Sequence, residues 1–341
     1  MRLNEKIFGS LLGGAIGNAM GSVVENWDYE RIERTYGKIK MPLMLDRIQT
    51  EDDNRISLLY CMAYLKYQRN ITPEDLAEIW LKHFDPGTEF FWCMRNALEL
   101  LRRGISPRQT GIYNINTGSA LMAIAPVGMY NIGEPARAYS DALDLAYMYQ
   151  PEPDSLCAAA FAAGVSKAFT PSNSVEAKID SIIGTIRKFA SEKQIVHWDD
   201  RRINSLADSL DIAIKIADKY GNDWLSSRSE IYERLLQWHP IDPIEVLSLT
   251  VCLFKMTGGD YVEGCIAGTN IGRDADTIAN LIGTLSGAIH GISAIPNDWL
   301  EGVKEINMEL YSKFKRIGSE MAELVVSRMN KYRRLSDLYL P

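Results

Sequence analysis

Two carboxylates and a hydroxyl stand together at the start of a long apolar segment in the last third of the chain. They belong to Asp274, Asp276 and Thr277, and the small apolar residues behind them continue to Gly291. Aspartate is a frequent helix N-cap, and acidic side chains suit the positive end of a helix dipole. Carboxylate and hydroxyl oxygens are also the ligands that hard divalent cations take. The residues alone leave helix capping and cation binding as alternatives.

A second acidic cluster opens another apolar helix much earlier in the chain. It consists of Glu51, Asp52 and Asp53, and a further carboxylate, Glu25, closes the first apolar segment. If these helix ends converged, the repulsion among like charges would require cations. The donors are oxygens with no Cys or His nearby in sequence, which favours Mg²⁺, Mn²⁺ or Ca²⁺ over zinc. A solvated helix end remains the alternative for each cluster taken alone, and for Glu25.

Helical periodicity runs through most of the chain. Thr72 and Pro73 form a typical helix start, with Thr72 as the N-cap. The sequence contains no convincing period-2 strands, no low-complexity linker and no repeat of fixed length. We therefore predict one all-α domain over residues 1–341, with a surface loop at residues 26–50. Helices are expected at about 3–25, from 56 onward, and at 76–83, 88–103, 134–149, 154–169, 174–192, 202–220, 227–237, 244–256, 261–269 and 302–329.

Small residues recur at helical spacing in the two most apolar segments. Gly283, Gly287 and Gly291 are four apart, which lets another backbone approach that face. Residues 275–295 are long enough to raise the question of a membrane span, but acidic and amide side chains interrupt them. The glycine-rich first segment is likewise a poor signal peptide. We expect two buried helices and no membrane partner.

Composition excludes several classes of function. The 341 residues are 46% hydrophobic and 24% charged with a net charge of -7, which is typical of soluble globular proteins. No long basic run provides the positive surface that nucleic-acid binding requires. Five scattered cysteines without a CxxC spacing indicate a reduced, cytoplasmic chain. The glycines of residues 9–21 lack the Gly-Lys-Ser/Thr ending of a phosphate loop.

Other residues capable of chemistry are isolated. Asp199 and Asp200 resemble an aspartate-rich metal motif, but they lie in a highly charged stretch and are predicted to be solvated. The four histidines lie far apart in sequence and are predicted to be structural. They are His83, His197, His239 and His290.

Four segments form an ordered set of motifs. They are GGAIGNAMG at 13–21 followed by Glu25, EDDN at 51–54, LMAIAPVG at 121–128 and NIGRDADT at 270–277. In order and spacing they resemble the ADP-ribosylglycohydrolase family, which includes dinitrogenase reductase-activating glycohydrolase, the ADP-ribosyl hydrolases and the J1 crystallins. The signal lies in the occurrence of all four motifs in this order. The resemblance runs from about residue 5 to about residue 300, and helices over residues 302–335 follow it.

The resemblance implies a compact orthogonal multi-helix bundle that holds two divalent cations, usually magnesium, and cleaves an N- or O-glycosidic bond at a ribose. Glu51 stands where the family has a ligand threonine, and a register that starts at Thr50 is an alternative. The implied metal ligands are Glu51, Asp52, Asp53, Asp274, Asp276 and Thr277.

The resemblance also implies catalytic and substrate-binding groups. Glu25 falls at the family's acidic residue near the metals, and we expect Glu25 and Asp53 to act in catalysis. A loop ahead of the third motif is expected to bind the substrate. Its residues are Asn116, Thr117, Gly118 and Ser119.

The chain departs from the family pattern around the distal part of the pocket. Asn18 stands at the position of the family's usual aspartate, and Ala123 replaces an arginine. Residues 148–154 contain no histidine where many members have Thr-His-x-Asp. We expect a retained metal core beneath a rebuilt substrate pocket.

These features predict a divalent-metal-dependent glycosidase that acts on an ADP-ribosylated substrate or another ribosylated small molecule. A nucleoside-type N-ribosyl hydrolase is one alternative, and a non-catalytic, crystallin-like ligand-binding protein is another. Two cations about 3.5–4 Å apart would distinguish the enzyme from the binder.

Overall fold

The computed structural model describes residues 2–84, 91–191 and 205–339. These residues form fifteen α-helices and three short 3-10 helices, and they contain no strand beyond a single β-bridge. The all-α prediction is confirmed. The α-helices are α1 Leu3–Gly21, α2 Tyr29–Tyr36, α3 Asp52–Tyr67, α4 Pro73–His83, α5 Trp92–Arg102, α6 Ala125–Tyr130, α7 Pro135–Ala146, α8 Asp154–Ala168, α9 Val175–Ala190, α10 Leu206–Tyr220, α11 Trp224–Arg234, α12 Pro243–Met256, α13 Tyr261–Asn270, α14 Ala275–His290 and α15 Asn297–Tyr339.

Helices α1 and α14 pack antiparallel with their backbones in direct contact. A Cβ atom at Gly17 of α1 would overlap the carbonyl of Ala279, and one at Gly287 of α14 would overlap the carbonyl of Gly9. A glycine is needed at such positions because any side chain would force the helices apart. Both helices are buried on nearly all sides. The end of α1 therefore lies beside the start of α14.

The remaining helices enclose this pair. Helices α13 and α15 pack against α1, and α12 and α13 pack against α14. Helix α8, which is almost wholly buried, contacts α6, α7 and α9 in a neighbouring group. Side chains from all fifteen helices contribute to one buried apolar cluster. The two central helices are thus held from every side.

The segment between α1 and α3 differs from its predicted loop. It contains α2 and the 3-10 helix Leu45–Gln49. The side chain of Asp28 caps α2 by accepting a hydrogen bond from Arg31 N over 2.6 Å. Helix α2 is eight residues long, fully buries only Ile32 and is otherwise mostly polar, so its apolar repeat is too short to mark a helix in the sequence. Helix α1 also ends at Gly21, earlier than the predicted residue 25.

Other helix boundaries follow from capping. The predicted start of α4 is confirmed, since Asp75 N donates to Thr72 Oγ1 over 3.3 Å. Helix α15 is longer than the predicted 302–329 and has non-helical dihedral angles at Asn307. The Asn307 side chain accepts a hydrogen bond from Leu310 N over 2.9 Å and so restarts the helix. Within the described residues, no helix combines the length and apolar character that crossing a membrane would need.

Candidate functional site

The pairing of α1 with α14 joins two distant stretches of chain at one end of the molecule. Asn26 N donates to the Arg273 carbonyl over 2.7 Å, and Arg273 N donates to the Trp27 carbonyl over 2.7 Å. A β-bridge flanks these bonds. The backbone on either side of Glu25 is thereby fixed against the turn that leads into α14.

Three carboxylates meet at this junction. Glu25, Asp274 and Asp276 each present an oxygen, and the three atoms lie within 4.8 Å of one another. Asp274 occupies the N-cap position of α14, but its side chain makes no capping hydrogen bond within the described structure. The buried Oδ1 atom of Asp276 has no hydrogen-bond partner among the described residues. Helix capping therefore does not account for this cluster.

Asn18 on α1 forms a hydrogen bond with one carboxylate of the cluster. Its Nδ2 atom donates to Asp276 Oδ2 over 3.3 Å, and its own Oδ1 atom is buried without a hydrogen-bond partner in the part of the chain that the structure describes. An aspartate here would add another charge against Asp276. The amide at this position instead orients an existing carboxylate.

The second acidic cluster is tied to α14 through Asn280. Asn280 Nδ2 donates to Asp53 Oδ1 over 2.8 Å and to the Met122 carbonyl over 3.1 Å. Asn280 lies one helical turn after Asp276 on the same face of α14. The sequence interpretation missed its role, although the i,i+4 spacing from Asp276 was a signal that could have identified it.

The other predicted ligands lie around this link. Asp52 and Asp53 occupy the first turn of α3, and Asp53 is buried. Glu51 precedes the helix and pairs with Arg47 at 3.7 Å. Thr277 is buried in the first turn of α14.

Burial and mutual repulsion favour the protonated form of these acids. Burial, followed by the charges of Asp276 and Asp52, holds the pKa of Asp53 well above its usual range. Burial and then the charge of Asp276 do the same to the pKa of Asp274. Burial raises the pKa of Asp52 to about 6, with the charge of Glu25 adding to the effect. Ionising all these groups together requires a compensating positive charge.

Known proteins share both the sequence pattern and the fold. The sequence model of the ADP-ribosylglycohydrolase family matches residues 1–334. The chain belongs to the ADP-ribosylglycohydrolase family. The match extends through most of α15, beyond the predicted limit near residue 300. Membership supports a hydrolase of the ADP-ribosylglycohydrolase type.

Individual relatives of this ADP-ribosylglycohydrolase family chain align over nearly its whole length. The uncharacterized protein YegU of Escherichia coli (strain K12) is 25% identical over 329 residues, which cover 90% of this chain and 95% of YegU. An uncharacterized protein of Archaeoglobus fulgidus is 26% identical over 328 residues, with 92% and 99% covered. A solved structure, an ADP-ribosylglycohydrolase-related protein complex, superposes with a TM-score of 0.69 at 20% identity, covering 95% of this chain and 99% of that one. This likeness shows the ADP-ribosylglycohydrolase fold.

The predicted substrate loop is anchored inside the protein. The hydroxyls of Thr117 and Ser119 lie 2.7 Å apart, and Gln150 Nε2 donates to Thr117 Oγ1 over 2.8 Å. Asn116 Oδ1 accepts a hydrogen bond from Asp154 N over 3.2 Å. Gly118 has a φ of 71°, which favours glycine. Substrate binding by this loop stays a prediction. In the structure its side chains anchor the segment that leads into the 3-10 helix Leu121–Ala123, which carries the Met122 carbonyl.

The isolated residues take no part in the cluster as described. His239 Nδ1 accepts a hydrogen bond from Ile241 N over 3.3 Å, and His290 ends α14 at the far end from the acids. His83 lies at the exposed end of α4. Asp199, Asp200 and His197 lie outside the described residues.

Proposed function

We propose that this chain is a divalent-metal-dependent glycohydrolase that cleaves the glycosidic bond of an ADP-ribosyl or related N-ribosyl substrate. The observation that carries the proposal is the meeting of Glu25, Asp274 and Asp276 in a member of the ADP-ribosylglycohydrolase family.

The residues at this junction fit a divalent cation. The carboxylates are crowded, and Asp276 Oδ1 has no hydrogen-bond partner within the described residues. Arg273, next to Asp274 in sequence, directs its guanidinium to Glu245 instead. Oxygen donors of this kind suit Mg²⁺, with Mn²⁺ or Ca²⁺ as alternatives. The proposed ligands are Glu51, Asp52, Asp53, Asp274, Asp276 and Thr277, and the geometry adds Glu25.

Hydrolysis breaks the bond between ribose C1′ and the leaving nitrogen or oxygen, while water supplies a hydroxyl to C1′ and a proton to the leaving atom. A cation held by these carboxylates would act as a Lewis acid toward the sugar oxygens. Glu25, the half-buried member of the carboxylate cluster, is placed to take a proton from the attacking water and pass it to the leaving atom. Asp53, oriented by Asn280, supplies negative charge that stabilises positive charge developing at C1′.

Release of ADP-ribose or ribose tests the proposal. Purified protein is incubated with an N-linked ADP-ribosyl-arginine peptide, an O-linked ADP-ribosyl ester and a purine nucleoside, each with Mg²⁺ or with EDTA. We expect the wild-type protein to release ADP-ribose or ribose from at least one substrate in the presence of Mg²⁺. The Asp276→Asn variant should release neither. Asp144→Asn, on the exposed surface of α7, is the matched control and should behave as wild type. Release that persists in EDTA would refute the metal requirement, whereas binding of ADP-ribose without release from any substrate would support the non-catalytic alternative.

A further inference from the structure

Arg273 adopts a backbone conformation that is unfavourable for its residue type. Its φ is 62°, between Gly272 at 73° and Asp274. Glycine adopts such angles without strain, whereas a residue with a Cβ does not. An arginine kept in this conformation at the edge of an acidic cluster indicates that its side chain contributes something glycine cannot supply.

The side chain of Arg273 forms a bidentate ion pair with the fully buried carboxylate of Glu245. Its Nε atom lies 2.6 Å from Glu245 Oε1, and its Nη2 atom lies 3.1 Å from Glu245 Oε2. Gln237 N donates to Glu245 Oε2 over 2.6 Å. Glu245, in the first turn of α12, thus accepts three hydrogen bonds, two of them from a guanidinium in the strong bidentate arrangement.

The backbone of Arg273 is hydrogen-bonded to the segment that follows Glu25. Through its N–H and carbonyl it bonds to Trp27 and Asn26, which immediately follow Glu25. The next residue is Asp274. One arginine therefore links α12 to both sides of the three-carboxylate cluster.

We propose that Arg273 and Glu245 form a positioning pair that holds Glu25 and Asp274 at the spacing a divalent cation needs. This inference rests on the proposed function, because it assumes that the cluster binds a cation. Neither residue is proposed to touch the cation or the substrate. Removing partners that orient metal ligands typically weakens metal affinity by about 10–100-fold.

The test compares Mn²⁺ binding by calorimetry in the wild type, in the double variant Arg273→Gly/Glu245→Gln and in Arg273→Lys. The double variant leaves no unpaired buried charge, and glycine accepts the φ of 62°. A remote double variant, Arg69→Gly/Asp75→Asn, is the matched control. It removes another bidentate pair, with bonds of 2.7 and 2.9 Å, beyond the far end of α3. Thermal unfolding in EDTA reports the stability of each variant without metal.

We expect the Mn²⁺ dissociation constant to rise about tenfold or more in the double variant, to rise less in Arg273→Lys, and to stay unchanged in the control. A lower unfolding temperature with an unchanged dissociation constant would show a purely structural pair and overturn the inference. If the double variant does not fold, Arg273→Lys decides: a weakened affinity supports the pair, and wild-type affinity overturns it. Absence of Mn²⁺ binding by the wild type would instead overturn the proposed function, and the positioning role with it.

Discussion

Asn280 lies 2.8 Å from Asp53, and this one hydrogen bond joins α14 to the first turn of α3. The same Nδ2 atom also donates to the Met122 carbonyl. A single amide thus connects the acidic starts of α14 and α3 with the 3-10 helix Leu121–Ala123. Since the two residues are 227 positions apart in sequence, the contact depends on the packing of the whole bundle.

Replacing Asn280 should weaken metal binding through the loss of the hydrogen bond that orients Asp53, while the protein still folds. For Asn280→Ser we expect metal affinity to fall by about 10–100-fold. The free energy of unfolding should fall by about 1–3 kcal/mol, because the buried Asp53 Oδ1 atom and the Met122 carbonyl lose their donor. Asn131→Ser is the matched control, because Asn131 Nδ2 also donates to a carbonyl, of Val127, and to a carboxylate, of Asp141. Calorimetry and chemical denaturation measure both quantities. Equal loss of metal affinity in the two variants would contradict a specific role for Asn280.

Neutralising either aspartate of the last motif should separate activity from stability. Asp274→Asn and Asp276→Asn remove a like charge from a buried acidic cluster, so each variant should be at least as stable as the wild type in EDTA at neutral pH. Turnover should be abolished in both. Full activity in either variant would refute the assignment of that residue as a metal ligand. Circular dichroism checks that the helical fold is retained.

Stabilisation by Mg²⁺ should grow with pH. The pKa values of Asp52 and Asp53 in the folded protein lie above their ordinary value of 3.8, that of Asp52 at about 6. Such groups contribute most stability below their unfolded-state pKa, and the metal-free protein loses this contribution as pH rises through the folded values. A cation restores it by binding the ionised form. The increase in unfolding temperature caused by Mg²⁺ should therefore be larger at pH 8 than at pH 5, and a pH-independent increase would count against cation binding at these acids.

A glycine at the contact of α1 with α14 and a glycine on an open helix surface should respond in opposite ways to substitution by alanine. Gly17→Ala places a methyl group against the Ala279 carbonyl and should cost about 1–3 kcal/mol of unfolding free energy or more. Gly184→Ala, in the interior of α9 with nothing within 4 Å of the new carbon, should stabilise by about 0.5–1 kcal/mol. Denaturant unfolding measures both. A neutral Gly17→Ala would show that the two helices can move apart without penalty.

The sequence predicted the all-α fold and the acidic helix starts because both are local patterns. Asp274 and Asp276 open an apolar helix, and their spacing is visible without a structure. The Arg273–Glu245 pair was not predictable, since it depends on a positive φ and on contact between residues 28 positions apart. Helix α2 was missed because it has only eight, mostly polar residues, and so short a segment carries too few apolar positions to establish a helical period. Local sequence patterns therefore identify acidic side chains that are candidates for cation binding, and the packing of the helices determines which of these side chains come together.

The two helices of the central contact, α1 and α14, are synthesised at well-separated times. Asn18 and Asp276 are 258 residues apart, so at about 5–20 residues per second α14 emerges roughly 13–50 s after α1. During that interval the glycine face of α1 has no α14 to cover it, and Glu25 lacks both of its acidic neighbours. A nascent chain that has not reached α14, or a product truncated before it, therefore has no assembled cluster, and the capacity proposed for the cluster arises only once α14 has been synthesised.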